Sequence, residues 1–273
     1  MKESLEHGKE ITFNELKILQ MDILSAIDEY CSENGIRYSM ACGTLLGAIR
    51  HKGYIPWDDD IDIYMPREDY ERFNSIFPVV YKDRYKFETI DRDKEWDRPW
   101  GKVFDTNTIL IEQSKCKNVG VNIDVFPVDT IPADEKTWKQ YNRRRLFIQK
   151  IYIIKCYRSK SSDGFLKNCE ARIIQTILLP FSRHCFSVLI NQYAKKYNNS
   201  ESPFCFEAVQ GIFQKRGFNK YIFDDIIEIP FEDRMFKSFK NYDEYLRNGF
   251  GNYMQLPPIE KRVTHHEYKA YWI

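Results

Sequence analysis

Neither sign of charge dominates this chain of 273 residues: 41 Lys and Arg stand against 40 Asp and Glu, a formal net charge of +1. A protein that tracks a phosphate backbone usually carries a basic excess, so the balance argues against a general nucleic-acid binder. Long hydrophobic runs are also missing. No stretch reaches the roughly 18 uninterrupted apolar residues of a membrane span. The first ten residues, Met1 to Glu10, are polar and lack the apolar centre of a secretory leader. The seven cysteines, at 31, 42, 116, 156, 169, 185 and 205, are odd in number and form no C-x-x-C pair. A disulfide framework or structural zinc site is therefore not expected, and a cytoplasmic protein with reduced thiols is. There is no internal repeat and no low-complexity tract. What the chain does have is 43% hydrophobic and 30% charged residues, the composition of a folded globular protein, with aromatics at 15%.

Thr12-Phe13-Asn14-Glu15 has capping-box form, and Leu16, Leu19, Ile23, Ile27, Tyr30 and Cys31 follow at helical spacing. Gly35 is placed to stop that helix. Residues 36–42 read as a short strand, Gly43-Thr44 opens a brief helix ending near Gly53, and 54–59 read as a loop before a strand over 61–65. Pro66 suits the start of a helix over 67–77. Strands are expected at 85–91, 102–104, 108–112 and 121–126. Short strands alternating with helices predict an α/β (α+β) fold around a mixed sheet. From about Asp134 the pattern turns to long helical stretches with basic patches such as Arg143-Arg144-Arg145. The expected division is a catalytic core over 1–133, a helical insertion over 134–200, and a C-terminal segment over 201–273. That last segment reads as helix and loop and is expected to complete the active site.

The informative residues are acidic. Asp60 and Asp62 are two apart on a predicted strand and share a face, about 6–7 Å apart along the chain. Two carboxylates facing one way repel unless a cation sits between them. Mg²⁺ (or Mn²⁺) suits, because such an ion takes hard oxygen ligands and keeps positions open for phosphate. Ile61 and Ile63 alternate with them and face the core. Asp124 interrupts the apolar strand Val121-Asn122-Ile123-Asp124-Val125-Phe126, and a carboxylate there is costly to bury unless it meets a metal or a base. If the two strands are neighbours, three carboxylates converge on one or two metals, a geometry suited to phosphoryl transfer. Asp58 and Asp59 read equally well as a solvated turn. Gly43-Thr44, at a strand-to-helix junction, can present backbone N–H groups to a phosphate, or be only a tight turn. Arg50, His51 and Lys52 supply cationic donors at the far end of that short helix, where they also complement its dipole.

At these residues the chain resembles the LicD family. The matching motifs are Ala41–His51, Ile55–Asp62, Gly101-Lys102-Val103, Asn122–Pro127, and a tail from Tyr253-Met254 through Pro257 to His266. They keep the family's order and cover about residues 12–130 and 245–273. The resemblance implies a nucleotidyltransferase-like core fold, with Asp60 and Asp62 binding the divalent metal and Asp124 as the third carboxylate. It also implies a phosphotransferase that moves phosphocholine from CDP-choline to a sugar of a teichoic acid, lipopolysaccharide or related surface glycan. Fukutin and fukutin-related protein, which use CDP-ribitol, are distant relatives. One departure concerns the phosphate cradle: Cys42 stands before Gly43, where the broader nucleotidyltransferase group carries a second glycine or a serine.

On this reading a sugar hydroxyl attacks the phosphorus that bears choline, and CMP leaves. Gly43, Thr44, Arg50, His51 and Lys102 are expected at the phosphates. Lys261, Arg262, His265 and His266, dense in donors beside a Pro-Pro turn, are expected at the diphosphate or the acceptor. Choline is a quaternary ammonium and favours aromatic faces. Trp57 is the first candidate, with Tyr54, Trp96 and Trp100 behind it. Two rivals stay open: a nucleotidyltransferase acting at an α-phosphorus, and a noncatalytic nucleotide-binding module. The apolar stretches Ile173–Leu179 and Phe186–Ile190, with Arg145, Lys150, Lys155, Arg158, Lys160 and Lys167 nearby, fit either a buried bundle or an interfacial surface. The second option suits a lipid-linked glycan acceptor met at the inner face of the plasma membrane. The near-zero charge thus conceals a separation of acids at 58–62 from bases at 50–52, 143–145 and 261–262.

Overall fold

The computed structural model describes residues 8–158, 165–211, 217–264 and 268–273, except the side chains of 165–167 and 170. His265 and His266, and Lys160 and Lys167 as side chains, lie outside the described residues. Along the chain come α1 (Phe13–Asn34), β1 (Ser39–Met40), α2 (Cys42–His51), β2 (Asp62–Pro66), α3 (Arg67–Ile76), β3 (Tyr85–Glu88), β4 (Gly101–Asp105), β5 (Thr108–Glu112) and β6 (Asn122–Thr130). Then follow α4 (Glu135–Cys156), α5 (Phe165–Ile177), α6 (Arg183–Ala194), β7 (Phe204–Phe206), β8 (Phe218–Asn219), β9 (Ile226–Phe231), β10 (Arg234–Phe239), α7 (Tyr242–Phe250) and β11 (Tyr268–Trp272).

The mixed sheet has the order β1-β2-β6-β4-β3, with β2 and β6 parallel and the other pairs antiparallel. Its strands read as apolar runs because their side chains are covered: Ile63, Met65, Phe87, Val103, Ile123 and Val125 are fully buried. α1 packs on β4 and β6 with the predicted side, and α3 packs on β2 and β6. The capping box is formed: Glu15 N–H donates to Thr12 Oγ1, and Thr12 N–H donates to the Glu15 carboxylate. Gly35 ends α1 in the left-handed conformation, φ 59°.

Three expectations are corrected. The strand expected over 36–42 contracts to two residues, because Ile36 N–H is committed to Cys31 O at the end of α1 and Cys42 already begins α2. Asp60 lies in the loop before β2 and not on the strand. The tail, expected as helix and loop, contains a β9–β10 hairpin and a strand, β11, paired with β5 from Tyr268↔Glu112 to Trp272↔Thr108. The alternation in Glu228-Ile229-Pro230-Phe231, with Ile229 and Phe231 buried, is the period of a strand, and Pro230 obscures it.

These additions position the site. At the hairpin turn Glu232 N–H donates to Lys52 O at 2.8 Å, and its carboxylate accepts Tyr54 N–H at 2.9 Å. The hairpin thereby fixes the loop that runs into β2. Gly53 permits the approach, since a Cβ there would lie 2.1 Å from Glu232 Oε1. The helices α4–α6 emerge between β6 and β7, which pair with each other through Asp129↔Phe206 and Thr130↔Cys205. The chain leaves the sheet and returns to it at one place.

Candidate active site

A cavity of about 880 Å³ opens where β2 and β6 begin. Parallel pairing puts Asp62 directly beside Asp124 in register. Two backbone contacts fix them: Asp62 N–H donates to Thr44 Oγ1 at 2.8 Å, and Asp124 N–H donates to Ile61 O at 3.0 Å. Asp62 is buried. Burial pushes its carboxyl well above the usual range, and Asp60, Asp124 and Asp58 push the same way, while Lys102 opposes them. At Asp62 burial and the neighbouring carboxylates outweigh the Lys102 ammonium.

A turn over residues 55–58 leads into the acidic loop 58–60. Asp58 N–H donates to Ile55 O at 2.8 Å, and Asp59 O accepts Gln20 Nε2 at 2.9 Å and the Tyr268 hydroxyl at 3.2 Å. Asp58, Asp59 and Asp60 each offer a carboxylate oxygen within 4.8 Å of the others, the one such acidic group found among the described residues. Asp58 lies over Gly43, where a Cβ would come within 2.5 Å of its Oδ2. Gly43 therefore lines the cavity and makes room for a carboxylate, a role its turn signal did not specify. Six acids, Asp58, Asp59, Asp60, Asp62, Glu112 and Asp124, line one space. Oxygen donors of this kind, one of them buried and short of positive charge, fit a hard divalent cation.

The structure moves several expected phosphate ligands. Thr44 is buried, and its hydroxyl is engaged by β2, so it positions Asp62 and does not face the cavity. Lys102 lies opposite Asp124 across the β4–β6 ladder, with Nζ 2.7 Å from Asp124 Oδ1 and donating to Asn122 Oδ1 at 2.8 Å. It lines the cavity, but its charge is directed at the carboxylate. Glu112 Oε1 lies 3.8 Å from the same ammonium, and Glu112 Oε2 accepts from Arg98 Nη2 at 2.8 Å. Gln20, Arg98 and Glu112 were not singled out in the sequence, and Asp58 was left open between a solvated turn and a ligand. A signal existed for Glu112, which ends an otherwise apolar strand, and for Asp58 in the acidic run.

Glu112 yields a pH prediction. Burial raises its carboxyl, but Lys102 and Arg98 outweigh that and hold it at about 2. A depressed carboxylate contributes stability that is fully present above its unfolded pKa and is lost as pH falls through the folded value. Glu112→Gln should thus cost on the order of 2 kcal/mol at neutral pH. Thermal melts should show the gap between variant and parent closing between about pH 4.5 and pH 2; a gap independent of pH would overturn the assignment.

Arg50 lines the cavity, donating from Nη1 to Tyr253 O at 2.8 Å and from Nε to His51 Nε2 at 2.9 Å. His51 sits behind it, edge-on to Trp57 with centroids 6.2 Å apart, and does not line the cavity. Burial and the Arg50 charge lower its pKa, so the imidazole is an acceptor and an orienting group. Lys261 lines the cavity. Arg262 does not: its guanidinium lies over the Trp57 ring at 5.7 Å, and Nε donates to Pro257 O at 2.9 Å. One face of Trp57 is therefore covered by the chain's own cation. Trp96 and Tyr54 are buried, which removes them as choline candidates, whereas Trp57 and Trp100 reach the cavity.

Residues 35–156 match the family model described as LicD/FKTN/FKRP, nucleotidyltransferase domain. The chain is 32% identical over 273 residues to the lipopolysaccharide cholinephosphotransferase LicD of Haemophilus influenzae, an alignment that covers 96% of this chain and 99% of that protein. An uncharacterized protein of Rickettsia typhi is 41% identical over 79 residues, 29% of this chain and 26% of its own length. One of Rickettsia prowazekii is 33% identical over 104 residues, 36% of either chain.

Proposed function

The chain belongs to the LicD family, and from that footing we propose that it transfers phosphocholine, or a related phospho-alcohol, from a CDP-activated donor such as CDP-choline to a sugar hydroxyl of a cell-surface glycan. The observation that carries the reading is the in-register pair Asp62 and Asp124, in a chain aligned over nearly its whole length with a cholinephosphotransferase. The acceptor oxygen forms a bond to the choline-bearing phosphorus as the bond to the CMP oxygen breaks, and CMP departs with the electron pair. One of the cavity carboxylates would take the acceptor's proton.

Asp60, Asp62 and Asp124, with Asp58 beside them, would hold Mg²⁺ or Mn²⁺, which when bound supplies positive charge to the diphosphate and the leaving oxygen. Arg50 and Lys261 add charge for the diphosphate from the protein. Trp57 and Trp100 offer aromatic surface to a quaternary ammonium. A lipid-linked acceptor, of the teichoic acid or lipopolysaccharide kind, would be met at the inner face of the plasma membrane.

The test is incubation with CDP-choline, CDP-ribitol or CDP-glycerol and either divalent ion, following CMP. Divalent-dependent CMP release, greatest with CDP-choline, supports the reading. Pyrophosphate release from a nucleoside triphosphate would instead indicate nucleotidyl transfer, and binding without product a noncatalytic module.

A further inference from the structure

The charge of this chain is divided unevenly. Residues 134–200 hold 14 Lys and Arg against four Asp and Glu, whereas the remainder holds 27 against 36. Much of that excess lies on one face of α4. Lys136, Lys139, Arg143, Leu146, Phe147, Lys150 and Ile153 follow at spacings of three and four and are all exposed, while Tyr141, Arg145, Gln149, Tyr152 and Cys156 form the buried side. Exposed helix faces of soluble proteins usually mix acids with bases. After Glu135, α4 contains no acid at all.

The large apolar side chains on this face are open to solvent, with Phe147 65% exposed. α5 lies against the same end of α4, where Gln175 Nε2 donates to Ile154 O at 2.7 Å and Lys155 Nζ donates to Leu178 O at 2.7 Å. From α5 and the turn after it, Ile173, Ile177, Leu179 and Phe181 are also exposed, Leu179 at 71%. Two parts of the sequence expectation change. Phe186 and Ile190 are buried, and Arg145 is turned inward over the Phe206 ring at 5.0 Å, so none of them contributes.

We infer that the outward faces of α4 and α5 dock on an anionic lipid bilayer. This deepens the acceptor reading above by giving a lipid-linked substrate's membrane a surface to meet. Apolar side chains interleaved with bases suit entry into the headgroup boundary, with the cations left at the lipid phosphates. Charge selects this occupant over the others. A second copy would bring two basic faces together, which repel. A nucleic acid would meet the bases and leave the apolar side chains in water.

The test is co-sedimentation of the full chain, without donor, with phosphatidylglycerol-rich or pure phosphatidylcholine vesicles. Binding is expected on the first and not the second. It should weaken at least about tenfold in Phe147→Ser with Ile177→Ser, and again in Lys139→Glu with Arg143→Glu and Lys150→Glu. All of these positions are exposed, so unchanged thermal melts are expected and exclude misfolding as the cause. Absent binding to anionic vesicles, binding indifferent to both sets of substitutions, or a parent dimer that Phe147→Ser with Ile177→Ser dissociates would each overturn the proposal. Vesicle binding is measured apart from CMP release, so failure of one leaves the other standing.

Discussion

Asp62→Ala should reduce CMP release by at least on the order of 10³-fold while the protein still folds. Asp62 is the first residue of β2, its N–H is fixed by the Thr44 hydroxyl, and its carboxylate meets Asp60, Asp124 and Asp58 with too little positive charge nearby. A fold maintained for its own sake would not retain a buried carboxylate there, because the arrangement costs stability unless a cation joins it. Loss of the charge should therefore remove activity without removing structure. Asp62→Asn, which keeps the shape, should lose activity to a similar degree and melt no lower than the parent when no divalent ion is added. The measurements are initial rates of CMP release and thermal melts with and without Mg²⁺. Parental turnover in either variant would sink the assignment.

Lys102→Met is the second substitution with a large expected effect, and it should damage stability as well as activity. Its ammonium, on a buried side chain, lies between Asp124 and Asn122 of β6 and Glu112 of β5. Removing one partner of a buried pair leaves the other charge uncompensated, at a cost of about 3–5 kcal/mol. For a chain of this size that corresponds to a fall in melting temperature of roughly 10 °C. Excess Mg²⁺ should recover part of the loss, because a cation held at Asp124 replaces some of the missing charge. A variant that melts like the parent would place Lys102 at the substrate and not at Asp124.

The carboxylates were legible in the sequence for a physical reason: an acid inside an apolar strand stands out against its neighbours, and Asp62 and Asp124 are such residues. The sheet core was legible in the same way, through its apolar runs. What pairing adds is the in-register contact between two distant strands, which local pattern does not encode. The role of Thr44 was hidden because a buried hydroxyl that accepts a backbone N–H and one that faces a phosphate have the same sequence. Lys102 was recognised as a cation at the site, but its pairing with Asp124 was not, since Asp124 becomes its neighbour only when β4 and β6 pair. The β9–β10 hairpin carried a strand's alternation, but Pro230 and the surrounding aromatics obscured it, and with it the role of Glu232 in holding the loop before β2.

The parallel pairing of β2 with β6 also bears on how the protein comes into being. The paired strands lie about sixty residues apart in the chain, and β11 returns from still further to cover β5. The contacts of α4 with α5 are closer in sequence, 21 residues apart at Gln175 and Ile154 and 23 at Lys155 and Leu178. Closing long loops is entropically slow, whereas local helical contacts form early. A chain leaving denaturant would therefore hold its helical arm before it holds a catalytic centre, and the acids that repel one another would be among the last groups brought together.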